Sequence, residues 1–376
     1  MRVTIVGGGV IGLSIGWELS RRGAHVRLVE RGQIGREASW AASGILPAAR
    51  SGLAPDPLER LRGLSHELYP QWVQQLTDAT GIDAELRQCG GLYLASHAGE
   101  AAALLAGLAY QRDLQIEMHR LSPEQLAIDE PALAPWANSG RCRAAVLSPN
   151  EWKITPPRLV AALLAACSAN GVQVIEHADC ELVVESRTAT LHLHAPSGGT
   201  VLQADQIILC GGAWTGQIAS KIGLAHGLIP IRGQILMYAF DFPPLRRIVN
   251  EGHRYLVPRD DGRLLIGSCE EEVGFQKGTT PEMLDPLTVW AQSILPMLTK
   301  MRPQRAWSGL RPATFDGFPI IGKVPEVANV WIASGHYRSG IHLAPATAMV
   351  IADLLDNQVP EVDPTPFRVA RIMSTL

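Results

Sequence analysis

Gly7, Gly9 and Gly12, in the run Val6-Gly7-Gly8-Gly9-Val10-Ile11-Gly12, have the types and spacing that hold a pyrophosphate. Gly7 permits a tight turn, Gly9 lets the backbone approach the phosphates, and Gly12 lets the following helix lie close to a sheet. The start of that helix offers free N–H groups and the positive end of its dipole to the phosphate charge. Glu30 follows 18 residues after Gly12, placed to accept from ribose hydroxyls; an acid there argues against a 2′-phosphate, and so against NADP. The cysteines Cys89, Cys142, Cys167, Cys180, Cys210 and Cys269 include no C-x-x-C pair. Neither a zinc site nor a dithiol redox centre is expected, no metal is assigned, and reduced thiols in a cytoplasmic protein are the simplest reading.

The elements that must position these residues are legible nearby. Residues 2–30 read as strand, glycine turn, helix to about Arg22 and second strand His25 to Glu30, the context the fingerprint requires. Two further segments have the shape of strand, glycine turn and helix start: Gln206 to Trp214, and Asn329 to Gly340 with a helix from Ile341 to Leu355. NAD on a two-halved nucleotide domain needs no return of the chain at residue 330. A flavin does, because its ring lies far from the adenosine and needs donors or a helix N-terminus where negative charge develops on reduction. The rival reading is a sheet that simply finishes there with its last strand and helix. Ala38, Ala41, Ala42, Ser43 and Gly44 suit either a backbone lying against a flat ring or a tightly packed turn.

The 376 residues allow two or three folded units at roughly 100–200 residues each. With 47% hydrophobic and 18% charged residues and a net charge of −3, a disordered or nucleic-acid-coating chain is excluded. Val3 to Val6 is too short for a signal peptide. Apolar runs such as Ala101 to Tyr110 reach about half the ~20 residues of a bilayer crossing, so no membrane segment is expected. A helix over 156–170 begins at Pro156-Pro157, and alternation over 234–240 and 262–267 suggests an antiparallel sheet. The fold class is α/β: a Rossmann-like dinucleotide domain from residues 1–50, 151–225 and 305–376, and an antiparallel-sheet substrate domain from 51–150 and 226–304, with the ligand between them.

Six stretches together carry a resemblance: Val6 to Leu13, Ala38 to Leu46, Arg232-Gly233-Gln234, Tyr255 to Arg259, Gly309 to Pro312, and Gly335 to Ile341. Over nearly its whole length the sequence resembles the D-amino-acid oxidase family of flavoproteins, and within it the bacterial glycine oxidases of thiamine biosynthesis. The resemblance implies noncovalent FAD, held by Val10 and Ile11, Glu30 and Arg31, Ala38 and Ser39, Ser43, Gly44 and Ile45, by Cys180 through its backbone near the adenine, and by His336, Tyr337, Arg338, Ser339, Gly340, Ile341 and His342. It implies that Arg311 grips the substrate carboxylate, as arginine can do bidentately; read alone, an arginine near Asp316 is more often a surface salt bridge. Tyr255 is implied to donate to that carboxylate or line the pocket, and Arg338 to lie beside substrate and flavin. His253 is not assigned as a base.

The implied reaction is hydride transfer from Cα of glycine, sarcosine or a small D-amino acid to flavin N5, without a protein base at carbon. It gives an imine, then glyoxylate and ammonia, with O2 reduced to H2O2; the glycine imine feeds thiazole assembly. By family analogy the chain forms a homo-oligomer, a tetramer. Glu270 departs from the apolar residue the family often has there, which bears on substrate preference. A sarcosine or secondary-amine oxidase commonly has a flavin-linking cysteine in the segment matching 310–315, and none is present. The other readings are a D-amino-acid dehydrogenase passing electrons to a quinone, and an FAD-binding redox sensor in which Arg311 and Tyr255 are idle.

Overall fold

Val3, Ile5 and Val6 are all buried, which a strand achieves only when both faces of its sheet are covered. In the computed structural model, which describes residues 1–195, 198–325 and 327–373, Arg2–Val6 is an inner strand of a six-stranded sheet. The strand order is Ile320–Lys323, Val330–Ser334, Gln206–Leu209, Arg2–Val6, His25–Val29 and Gln173–Ile175. All neighbours are parallel except the first pair. Alternate residues serve opposite layers. Val3, Ile5, Leu28 and Ile208 pack with the helices Val10–Arg21, Pro156–Ala169 and Gly340–Leu355. Val6, Val29, Ile207 and Leu209 pack with an antiparallel layer around Leu182, Leu191 and Leu193.

The first helix ends one residue earlier than read, at Arg21, and the second strand at Val29. Gly12 is buried in that helix, where an added Cβ would lie 2.0 Å from the Gly7 carbonyl oxygen. Because a backbone atom cannot step aside as a side chain can, Gly12→Ala is expected to lower the thermal midpoint and the bound-flavin content of the purified protein together. Normal flavin occupancy in that variant would contradict this packing role.

The second sheet is eight-stranded, in the order Arg305–Ala313, Ile229–Ala239, Arg263–Gly267, Arg254–Pro258, Ile248–Glu251, Gly91–Ala95, Ala144–Ser148 and His119–Arg120. Its pairs are antiparallel except Ile248–Glu251 with Gly91–Ala95. The alternation over 234–240 does not mark an exposed face: Ile235 and Met237 enter one apolar cluster, Leu236 and Tyr238 another.

Two elements sit elsewhere than the boundaries at 51 and 305 expect. The helix Pro57–Thr80 packs Leu61, Leu64, Tyr69, Trp72 and Leu76 into the core of the parallel sheet's helical layer, with Trp72 edge-on to Trp17 at 5.7 Å. The strand Arg305–Ala313 runs hydrogen-bonded along Ile229–Ala239 for its whole length. Among the described residues no helix is long and apolar enough to cross a membrane.

Candidate active site

A cavity of ≈ 470 Å³ lies between the carboxyl ends of the parallel strands and one face of the eight-stranded sheet. Crevices at that edge are where open α/β sheets bind ligands. Every residue named from sequence as a cofactor or substrate contact lines it, except Gly12, whose place is the helix–strand contact beneath.

At the nucleotide end, one Glu30 carboxylate oxygen accepts from the Gly8 N–H at 2.8 Å and the other from the Gly32 N–H at 2.9 Å. Glu30 therefore shapes the glycine turn, and each of its carboxylate oxygens has a further lone pair. Ser39 has a function the sequence did not reveal: its hydroxyl oxygen accepts from the Val10 N–H at 2.9 Å, at the start of the first helix. The small-residue loop is thus tied to the phosphate turn. Beside it the Arg31 guanidinium lies 3.7 Å from the Trp214 ring centroid, and Lys277 Nζ lies 5.3 Å from the same ring while donating to Glu37 at 2.5 Å. Trp214, Glu37 and Lys277 had no local signal, because three separate segments bring them together.

At the other end the helix Gly340–Leu355 begins at the cavity wall with Ser339 as N-cap and no side-chain cap. Its first intrahelical bond runs from the Leu343 N–H to the Ser339 carbonyl, so the N–H groups of Gly340, Ile341 and His342 are left for a ligand. His336 is fully surrounded and bonded to Thr347 at 3.0 Å; burial pushes it down to about 3. His342 is held well below the ordinary histidine range by burial, with His66 and Arg62 adding to the effect. Both its ring nitrogens are buried without a partner among the described residues. An uncapped helix start, orphaned imidazole nitrogens and a glycine cradle in one cavity fit a dinucleotide carrying a polar ring system.

The floor of the substrate end is a row across neighbouring strands. Tyr93 is opposite Asn250, Asn250 opposite Tyr255, and Tyr255 opposite Gly267. Directly opposed residues share a face, and Tyr93, Asn250 and Tyr255 all line the cavity. Arg311 stands over Gly233, donating from Nη1 to the Cys269 carbonyl at 3.0 Å and from Nη2 to the Ser268 hydroxyl. Among the described residues no carboxylate pairs with it, and Asp316, the alternative partner, is held by Arg371 at 2.8 Å. Arg338 is also in the wall, but its charge is opposed by Glu270 at 2.5 Å, and it donates to the His253 carbonyl. Burial pushes Glu270 upward, yet hydrogen bonds from Tyr337 and Arg338 outweigh it and hold the carboxyl below its ordinary range.

Comparison with known proteins gives the family and the fold. The family model described as DAO, FAD dependent oxidoreductase, matches residues 2–354. A glycine oxidase of Pseudomonas aeruginosa is 35% identical over 372 residues, 98% of each chain. The crystal structure of glycine oxidase from Geobacillus kaustophilus superposes with a TM-score of 0.91 at 31% identity, covering 98% of this chain and 99% of that one. The bifunctional protein ThiO/ThiG of Trichormus variabilis is 30% identical over 95% of this chain and 53% of its own length.

Proposed function

Because the chain belongs to the DAO family of FAD dependent oxidoreductases, we propose that it is an FAD-dependent oxidase of glycine, with sarcosine and small D-amino acids as further substrates. The observation that carries this reading is Arg311: a guanidinium with no protein carboxylate among the described residues, in the wall of the cavity that Tyr255 also lines. Such a group suits the carboxylate that every α-amino acid presents. Bound FAD supplies the two-electron chemistry, taking hydride from Cα and passing the electrons to O2 to give H2O2.

The chain's own residues do the rest. Arg311 holds the carboxylate bidentately, with Ser268 and the Cys269 carbonyl fixing its fork. Tyr255 supplies a second donor, and the row of Asn250 and Tyr93 sets where the amine sits. Catalysis then rests on orientation and electrostatics rather than on a base at carbon. Water converts the released imine to glyoxylate and ammonia. FAD is held noncovalently: the cysteines that line the cavity, Cys180 and Cys210, lie at its nucleotide end, and burial raises both thiols, Cys180 to about 12. Likeness to a ThiO/ThiG protein supports a role for the glycine imine in thiamine biosynthesis.

The test is anaerobic mixing of the flavin-loaded protein with glycine, sarcosine or D-alanine, following the flavin band near ~450 nm. Glycine is expected to bleach it fastest, with H2O2 appearing when air is readmitted. A bound flavin that no amine reduces would refute the reading.

A further inference from the structure

Glu151 is 0% exposed and belongs to none of the groups used so far. Its carboxylate occupies the space beside Gly91, where an added Cβ would stand 2.3–2.5 Å from the carboxylate carbon and oxygens. It accepts from the Tyr93 phenol at 2.5 Å and from the Asn250 side-chain amide at 3.4 Å, two of the three residues in the cavity floor. Among the described residues no cation pairs with it: Lys153, two residues on, is held by the Pro258 carbonyl and by Asp260, each at 2.8 Å. A buried carboxylate placed for structure alone is ordinarily matched with a cation.

We propose that Glu151 is the positioning residue that accepts the substrate's ammonium proton, acting through Tyr93. This rests on the amino-acid oxidase reading above. An α-amino acid arrives as a zwitterion, and loss of hydride from Cα requires the neutral amine. The ammonium gives a proton to the Tyr93 oxygen as the phenol's own proton passes to the Glu151 carboxylate. One N–H bond breaks and one O–H bond forms on Glu151, while Tyr93 ends with a single proton as it began. A positive and a negative charge vanish together, so no net charge is left in the buried site. The proton on Glu151 balances the one taken up when O2 becomes H2O2, and the carboxylate returns ionised.

The groups facing Glu151 leave it as the titrating member. Burial raises Cys89 to about 11 and, with the Glu151 charge adding, lifts Tyr93 well above its ordinary value; Asn250 is neutral, and Arg62 pulls against the rise of Tyr93 without shifting Glu151. Burial pushes Glu151 itself up to about 7, against the pull of Tyr93 and Asn250.

The experiment is the pH dependence of kcat/KM for glycine in flavin-loaded wild type, Glu151→Gln and Tyr93→Phe. In wild type the value rises with pH through an inflection near neutrality. In both variants that inflection is lost and kcat/KM at pH 7 falls about 10²- to 10⁴-fold. The deficit closes as the pH approaches the range where glycine's own amine is free, and affinity for glycolate, which has the carboxylate without the amine, is retained. A pH-independent deficit, or an unchanged profile, would overturn the proposal while leaving the oxidase reading intact; a wild type that oxidises no amine would sink that reading instead. If Glu151→Gln fails to hold flavin, Tyr93→Phe decides on the same criteria.

Discussion

Arg311→Ala is expected to lower kcat/KM for glycine roughly 30- to 4,000-fold while FAD stays bound. Truncating one partner of a buried, hydrogen-bonded charge pair costs about 2–5 kcal/mol, and ~1.4 kcal/mol corresponds to a factor of ten. The cofactor should survive because the nucleotide end is built from other segments: the glycine turn with Glu30, Ser39 and the start of the helix Gly340–Leu355. Arg311→Lys should recover little, since an ammonium cannot reproduce a planar fork held by the Ser268 hydroxyl and the Cys269 carbonyl. Steady-state kinetics with the flavin-to-protein absorbance ratio measures both halves of the prediction. Unchanged turnover of glycine in Arg311→Ala would mean that this side chain does not grip the substrate carboxylate, whereas a wild type whose bound flavin no amine reduces would favour the redox-sensor reading.

Gly233→Ala should approach the same loss without touching a charged residue. An added Cβ would lie 2.2–2.4 Å from the Arg311 guanidinium atoms. What it meets is the far end of a flexible side chain, so the arginine moves and the strand stays paired. The expectation is a folded, yellow protein with a thermal midpoint within a few degrees of wild type and a kcat/KM for glycine within about tenfold of that of Arg311→Ala. Wild-type kinetics in Gly233→Ala would mean that the carboxylate is gripped elsewhere. In Gly12→Ala the clash is with backbone, which is why that change is expected to act on the fold.

What the sequence revealed follows contact distance along the chain. The glycine turn, its helix and Glu30 lie within thirty residues, so their periodicity and spacing survive as local pattern. The return of the chain at Val330–Ser334 was legible because a strand, a glycine turn and a helix start stand in one short stretch. The helix Pro57–Thr80 was not read from the sequence, and an apolar stripe would not in any case say which sheet it covers. Likewise Asp316 looks like the natural partner of Arg311 until Arg371, 55 residues on, takes it. The floor of the substrate end was hidden for the same reason. Asn250 and Tyr255 meet across a tight hairpin, but Tyr93 joins them through a parallel pairing from more than 150 residues away. Glu151, behind that row, is an ordinary acid in an ordinary stretch until burial changes its chemistry.

The Trp214 cluster has a kinetic side. Arg31 and Lys277 both approach one indole, Phe275 lies 5.5 Å from it, and Lys277 reaches across to Glu37. The loop carrying Phe275 and Lys277 follows the eight-stranded sheet's strand Arg263–Gly267, whereas Trp214, Arg31 and Glu37 come from the nucleotide side. The two sides are thus buckled together at the cavity's edge, and opening of that buckle is expected to contribute to the residence time of a dinucleotide seated inside. Because the ion pair in the buckle is half-exposed, raised ionic strength is expected to shorten that residence time.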